Sequence, residues 1–250
     1  MYVISMLNYF LQFCWELLPQ EAHDRIFTLA YERSEQNLFK TVKQSGFYPE
    51  TIIDVGAYEG EWAAFISDYF PKSDIILIEA QKEKKKILED LDFTVADIHI
   101  ETLSDKSGKT VEFYQHETGS SYYRENTDVD IPKKSKQTVT LDELINTSEV
   151  ENALLKLDVQ GAELDILNGG REILESTTAV YLECSLVNYN VEGPLIEEVI
   201  SYIRGQGFTP YGIGGYHRWG NQLSQIDLLF IDEKNEIANE WKRELNSFLK

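Results

Sequence analysis

Short apolar runs alternate with amphipathic stretches along most of the chain. Residues 51–57, "TIIDVGA", are apolar and β-branched, close on a glycine, and read as a buried strand. Residues 59–70 carry apolar positions at helical spacing and stop at Pro71, so they predict a helix. The pair repeats as a strand at 74–80 and a helix at 82–91, and 97–103 predict a third strand that turns at 104–108. Residues 110–116 alternate like a strand. Residues 117–136 are polar and poorly periodic and predict a long surface loop, a kind of segment that tends to be functional or mobile. Residues 139–145 predict a strand end or a short helix. The alternation then resumes with a strand at 153–161, a helix at 162–175, a strand at 179–185 and a helix at 194–207. Strands at 208–215 and 227–232 follow, and a helix at 236–250 closes the chain. The last two strands have no helix between them, which predicts antiparallel neighbours. The whole pattern predicts an α/β fold: a doubly wound, Rossmann-like, mostly parallel seven-stranded sheet with an antiparallel last pair.

Ahead of this pattern, residues 1–47 predict an N-terminal helical extension, leaving 48–250 as the main domain. The first twenty residues are strongly apolar but lack the basic start and small-residue cleavage site of a signal peptide. Ser5, Asn8, Gln12 and Glu16 form a narrow polar stripe, and the run is short and interrupted for a membrane span. An amphipathic helix docked on the domain or on a second subunit fits best, which makes a homodimer through this helix the expected assembly. Peripheral membrane contact is the alternative.

Charge narrows the choice of ligand. With 23 basic and 43 acidic residues the chain carries a net charge of −20, and no basic patch breaks it, so nucleic acid is not an expected partner. Cys14 and Cys184 are far apart and belong to no metal-spaced cluster; buried free thiols in a reducing cytoplasm are the expectation.

The loop "DVGAYEG", Asp54 to Gly60, follows the first strand, where ligands of doubly wound sheets bind. Its glycines, Gly56 and Gly60, are spaced G-x-x-x-G and miss the middle glycine of a dinucleotide fingerprint. Asp54, Glu59 and Glu61 would repel a pyrophosphate. S-adenosylmethionine, with its sulfonium and ammonium, suits such charges better. Glu79 ends the second strand, where a carboxylate can accept both hydroxyls of a ribose.

These stretches resemble the FkbM-type methyltransferases, a branch of the class I S-adenosylmethionine-dependent enzymes, from about Ile52 to Ile213. "IIDVGAYEG" is similar to the family's first motif and "ILIEA" to its second-strand motif. "LSDKSG", "VTLDELI" and above all "LLKLDVQGAELDILNGG" resemble its later signatures, and "SSY" and "YLEC" also fit. Tyr58, Ala80 and Gln160 depart from the usual asparagine, proline and glutamate. The resemblance implies a cofactor site of Asp54, Gly56, Ala57, Tyr58, Gly60, Glu79, Ala80, Ser104 and Asp105. It also implies transfer of a methyl group to a hydroxyl of a sugar or natural product, with Ser121 on the acceptor side.

Asp158 and Glu183 end the fourth and fifth strands and are the candidate bases. The loop after the sixth strand, in the second part of "GIGGYHRWGNQ", is expected at the same edge, offering His217 as a base and Trp219 as a sugar-stacking ring. Glu163 is expected to orient the loop after Asp158. A metal held by Asp54 and Asp158 would need a tight ligand spacing that the sequence lacks. Two other readings remain: an NAD-type oxidoreductase, and a scaffold protein on a degenerate form of this fold.

Overall fold

The structure, a computed structural model, describes Pro19 and residues 34–249. The apolar segment 1–18, and with it Cys14 and the expected dimer helix, lies outside the described residues.

Helix α1 spans residues 34–44 and closes with Gly46 at φ 93. There the Gly46 and Phe47 N–H groups return to the carbonyls of Lys43 and Val42, the pairing of a Schellman turn. Strand β1 (Thr51–Val55), helix α2 (Glu61–Tyr69), strand β2 (Asp74–Ile78), helix α3 (Lys85–Glu89) and strand β3 (Asp97–His99) follow. Next come β4 (Thr102–Leu103), β5 (Thr110–Tyr114), β6 (Lys133–Val139) and helix α4 (Leu141–Leu144). The second half contains β7 (Ala153–Leu157), α5 (Glu163–Asn168), α6 (Arg171–Glu175), β8 (Thr177–Ser185) and α7 (Ile196–Gly205). The hairpin β9 (Phe208–Trp219) and β10 (Gln222–Asp232) and helix α8 (Glu240–Phe248) complete it.

The main sheet has the expected seven strands in the order β3-β2-β1-β7-β8-β10-β9, and β10 runs antiparallel to both its neighbours. β1 and β7 are buried along their whole length, because helices cover both faces. Ile53, Val55, Leu155 and Leu157 pack to one side with α5 and α7; Ile52 and Leu154 pack to the other with α1 and α2. Phe39 of α1 is fully buried and meets Trp62, Phe65 and Tyr181 edge-on. Among the described residues, no helix is long and apolar enough to cross a membrane.

Four details differ from the sequence pattern. The single strand expected at 97–103 is split, with β3 in the main sheet and β4 in a second, three-stranded sheet ordered β4-β6-β5. The expected loop 117–136 contains the first half of β6, "KKSK", whose largely exposed faces erase any apolar alternation. The helix expected at 162–175 breaks into α5 and α6 at Gly169–Gly170, where a Cβ on Gly169 would lie 2.3 Å from the Ser104 carbonyl oxygen. Residues 216–219, expected in the loop after the strand at 208–215, instead continue β9, and only Gly220 and Asn221 turn the hairpin.

Candidate active site

Three strand ends build the site. β1, β2 and β7 lie side by side in register, with Val55 opposite both Ile78 and Leu157. Gly56, Glu79 and Asp158 therefore emerge together at the carboxyl edge, where the strand order reverses between β1 and β7. Gly56 turns the chain at φ 77, and a Cβ there would lie 2.0 Å from the Asp158 carbonyl oxygen, an approach only glycine allows. The Gly56 and Ala57 N–H groups donate to the Ile78 carbonyl at 2.9 and 3.2 Å. The Tyr58 N–H donates to Glu79 Oε2 at 2.8 Å, and the Gln81 N–H to Glu79 Oε1 at 2.6 Å. Burial raises the Glu79 carboxyl above its usual range, and these two N–H groups act against that rise.

A cleft with about 890 Å³ of empty space, part of it open to solvent, runs along this edge. Gly56, Ala57, Tyr58, Glu79 and Ala80 line it, with Ile78, Leu103, Phe113 and Ile166 as apolar walls. The segment after β5 covers one side through Thr118, Ser120 and Ser121. Ser121 Oγ donates to the Val159 carbonyl and accepts from the Tyr123 N–H, each at 3.1 Å, and so pins that segment to the turn after β7. Gly60 opens α2 and does not itself face the cleft. Ser104 and Asp105 do not line it either; Asp105 pairs with Lys109, and Glu101, Thr102 and Leu103 form the wall there.

Asp54 is fully buried under the cleft and does not reach it. Its cross-strand neighbour Lys156 brings Nζ to 3.0 Å from Oδ1, an ion pair between two buried side chains. Lys156 Nζ also donates to the Gly56 carbonyl at 3.2 Å and lies 3.7 Å from Asp158 Oδ2. Burial opposes the charge on Lys156, but Asp54 and Asp158 outweigh it and hold the lysine above its usual range. One buried ammonium thus ties the first and fourth parallel strands together beneath the site. Sequence reasoning misses Lys156, although a lone lysine inside "ALLKL" was a usable signal. It also overstates the charge of the loop: Glu59 pairs with Lys84 at 2.6 Å, and that ammonium sits 3.6 Å from the Tyr58 ring centre.

A second cavity, with about 1020 Å³ of empty space that is partly open to solvent, shares Glu61, Trp62, Lys156 and Asp158 with the first as walls. It brings Asp158, Glu183 and His217 together, along with Glu35, Tyr181 and Asp227. His217 Nε2 lies 3.7 Å from Glu183 Oε1. Burial lowers the pKa of His217, with Asp158 opposing. Burial holds Glu183 well above the usual carboxylate range; Asp158, Asp227 and Glu163 add to this and Lys156 opposes it. Glu163 accepts the Gly161 N–H at 3.0 Å, and burial pushes its pKa up to about 7. Glu35 of α1 accepts from the Trp62 indole at 3.0 Å and the Tyr181 hydroxyl at 2.9 Å, while those two rings stack at 5.9 Å. Nothing in the sequence marks Glu35, because its partners lie on α2 and β8. Trp219 is 61% exposed, packs against Tyr189 and lines neither cavity. Among the described residues, no group of three or more His, Cys, Asp or Glu side chains is placed to hold a metal ion.

Comparison with solved structures finds similar chains at low identity and with TM-scores below 0.5. The magnesium protoporphyrin IX methyltransferase of Synechocystis PCC 6803, solved with bound SAM, is 7% identical with a TM-score of 0.45, over 81% of this chain and 80% of that one. An S-adenosylmethionine-dependent methyltransferase from Clostridium acetobutylicum ATCC 824 is 6% identical with a TM-score of 0.46, over 87% and 98%. Likeness of this degree says nothing about substrate. Comparison with curated proteins gives no match. The model of the methyltransferase FkbM domain matches residues 54–210, more than half of the chain, and includes Asp54, Gly56, Glu79, Asp158 and Glu183. The chain belongs to the FkbM methyltransferase family.

Proposed function

We propose that the chain is an S-adenosylmethionine-dependent O-methyltransferase whose acceptor is a hydroxyl of a carbohydrate or a comparable natural product. The observation that carries this reading is the position of Asp158 in the wall between two adjoining cavities.

The residues of the first cavity fit the cofactor. Both Glu79 oxygens accept one backbone N–H each, and a carboxylate has lone pairs left for a ribose diol. Ile78, Leu103, Phe113 and Ile166 offer apolar surface to an adenine. Glu61 and Asp158 supply negative charge facing a cation. When bound, S-adenosylmethionine supplies an electrophilic methyl group on a sulfonium.

The chain's own residues then have three tasks. The second cavity holds the acceptor, with Trp62 and Tyr181 as aromatic surface and carboxylates as hydroxyl acceptors. Positioning the acceptor oxygen supplies much of the rate. Asp158 takes the hydroxyl proton, a step worth roughly 10²–10⁴-fold; Glu183 and His217 stand beside it as the other proton-holding groups.

The test is incubation of the full chain with methyl-labelled S-adenosylmethionine and a panel of neutral sugars, amino sugars and hydroxylated macrolactones. Label transferred to oxygen in an acid- and base-stable form supports the reading. Transfer only to nitrogen, or as a base-labile ester to a carboxylate, contradicts it.

A further inference from the structure

The turn leaving β7 holds a residue that the cofactor and acceptor roles do not absorb. Gln160 sits at φ 53, in the left-handed region, ahead of Gly161 at φ 99. This conformation is uncommon for a residue with a side chain and persists only where the surroundings hold it. The side chain spans two strands. Gln160 Nε2 donates to Asp158 Oδ1 at 3.0 Å and to Glu183 Oε2 at 2.7 Å. Gln225 Nε2, from β10, donates to the same Glu183 oxygen at 2.7 Å and approaches Gln160 Oε1 at 3.5 Å. A carboxamide has two N–H donors, so Gln160 spends one on each carboxylate. An N–H can donate only to an oxygen that carries no proton on that side.

We propose that Gln160 is a positioning residue of the acceptor site: its carboxamide bridges Asp158 and Glu183, fixes their separation and keeps both carboxylates as proton acceptors. The proposal rests on reading the second cavity as the acceptor site. Asp158 keeps Oδ2 toward Lys156, and Glu183 keeps Oε1 toward His217.

The surroundings explain why a neutral donor is needed there. Glu183 is faced by Asp158 and Lys156 from β7 and its turn, by Glu163 from α5, by Asp227 and Gln225 from β10 and by His217 from β9. Glu35 of α1 and Glu61 of α2 line the same cavity. One lysine among these carboxylates leaves the cluster prone to bind a proton, and a protonated Asp158 or Glu183 is no base. Two amide donors favour the charged forms without adding charge. A glutamate at 160 would instead place a third carboxylate between the other two. Like charges at such distances do not all ionise, so the cluster would bind a proton at higher pH.

The experiment is a carbon-13 NMR titration of the Asp158 and Glu183 side-chain carboxyl carbons. It uses the full chain with and without S-adenosylhomocysteine, with signals assigned by Asp158→Asn and Glu183→Gln. Gln160→Glu should raise the apparent pKa of the pair by about one unit or more. Gln160→Gly keeps the left-handed turn at lower strain and removes the side chain, carboxamide included. It should also raise the Glu183 pKa, while the melting temperature stays at or above that of the parent. Unchanged titration in both variants overturns the proposal, since a residue that merely builds the turn would leave the carboxylates alone. The titration needs neither turnover nor acceptor. A protein that fails to bind S-adenosylhomocysteine would therefore count against the methyltransferase reading and leave this result standing.

Discussion

Replacing Gly56 by alanine should damage both stability and the site, for two separable reasons. The first is conformational. Gly56 has φ 77, and an L-residue held in that region costs roughly 1–2 kcal/mol. The second is steric. A Cβ would lie 2.0 Å from the Asp158 carbonyl oxygen and 3.0 Å from its carbon, whereas close C···O contacts sit near about 3.3–3.6 Å. The β7 turn would have to retreat by more than about 1 Å. It is not free to do so, because the Asp158 N–H donates to the Val55 carbonyl at 3.2 Å and Lys156 ties both strands below. Overpacking of this kind costs roughly 1–3 kcal/mol more. The expected loss is therefore about 2–5 kcal/mol, read by urea unfolding. S-adenosylhomocysteine affinity, read by calorimetry on the folded variant, should fall at least about tenfold. Gly46→Ala is the control: its φ is 93, but nothing lies within 4 Å of the added methyl. It should show the conformational loss alone and bind normally. Equal stability losses in the two variants, with binding untouched in both, would refute the reasoning.

Three further outcomes are expected. Glu79→Ala should weaken S-adenosylhomocysteine binding by about 1.5–3 kcal/mol, the range for a lost hydrogen bond to a charged group; unchanged affinity in calorimetry would mean that Glu79 only braces the loop through Tyr58 and Gln81. Asp158→Asn should cut turnover by about 10²-fold or more with a true acceptor, while affinity for S-adenosylhomocysteine, which has no sulfonium for Asp158 to face, moves far less; near-normal turnover would leave positioning as the main source of rate. Glu163, raised by burial from 4.5 to about 7, is neutral in both states below pH 4.5, and its stabilising contribution is lost as pH rises through about 7. Glu163→Gln cannot ionise, so its stability relative to the parent should climb across that window by an amount on the order of 3 kcal/mol, and a flat difference in unfolding free energy between pH 4.5 and 8 would contradict this.

The parts of the fold that the sequence reveals are those buried on both faces. β1 and β7 are apolar apart from Thr51, Asp54 and Lys156, and each is followed by a glycine-bearing turn, so their position and parallel pairing follow from pattern alone. Gly56, Glu79 and Asp158 are legible for the same reason: each stands just past the end of a recognisable strand. What escapes the pattern is decided by tertiary contact. β6 lies on an exposed small sheet, where "KKSK" has no apolar face to bury. His217 reads as a loop residue among glycines, yet pairing with β10 holds it in a strand opposite Gln225. Lys156 and Glu35 become meaningful only when Asp54, Trp62 and Tyr181 arrive from other elements. Gln160 looks like a lost glutamate in sequence, and its role depends on Glu183, which lies 23 residues further along the chain.

The central claim is that the glycine-loop cleft takes S-adenosylmethionine rather than a dinucleotide. Calorimetric titration of the full chain with S-adenosylhomocysteine, followed by NADH as competitor, tests it most directly. Saturable binding of S-adenosylhomocysteine that NADH does not displace is the predicted result. NADH binding tighter than S-adenosylhomocysteine, or displacing it, would contradict the assignment of the cleft and with it the methyl-transfer chemistry built on Asp158.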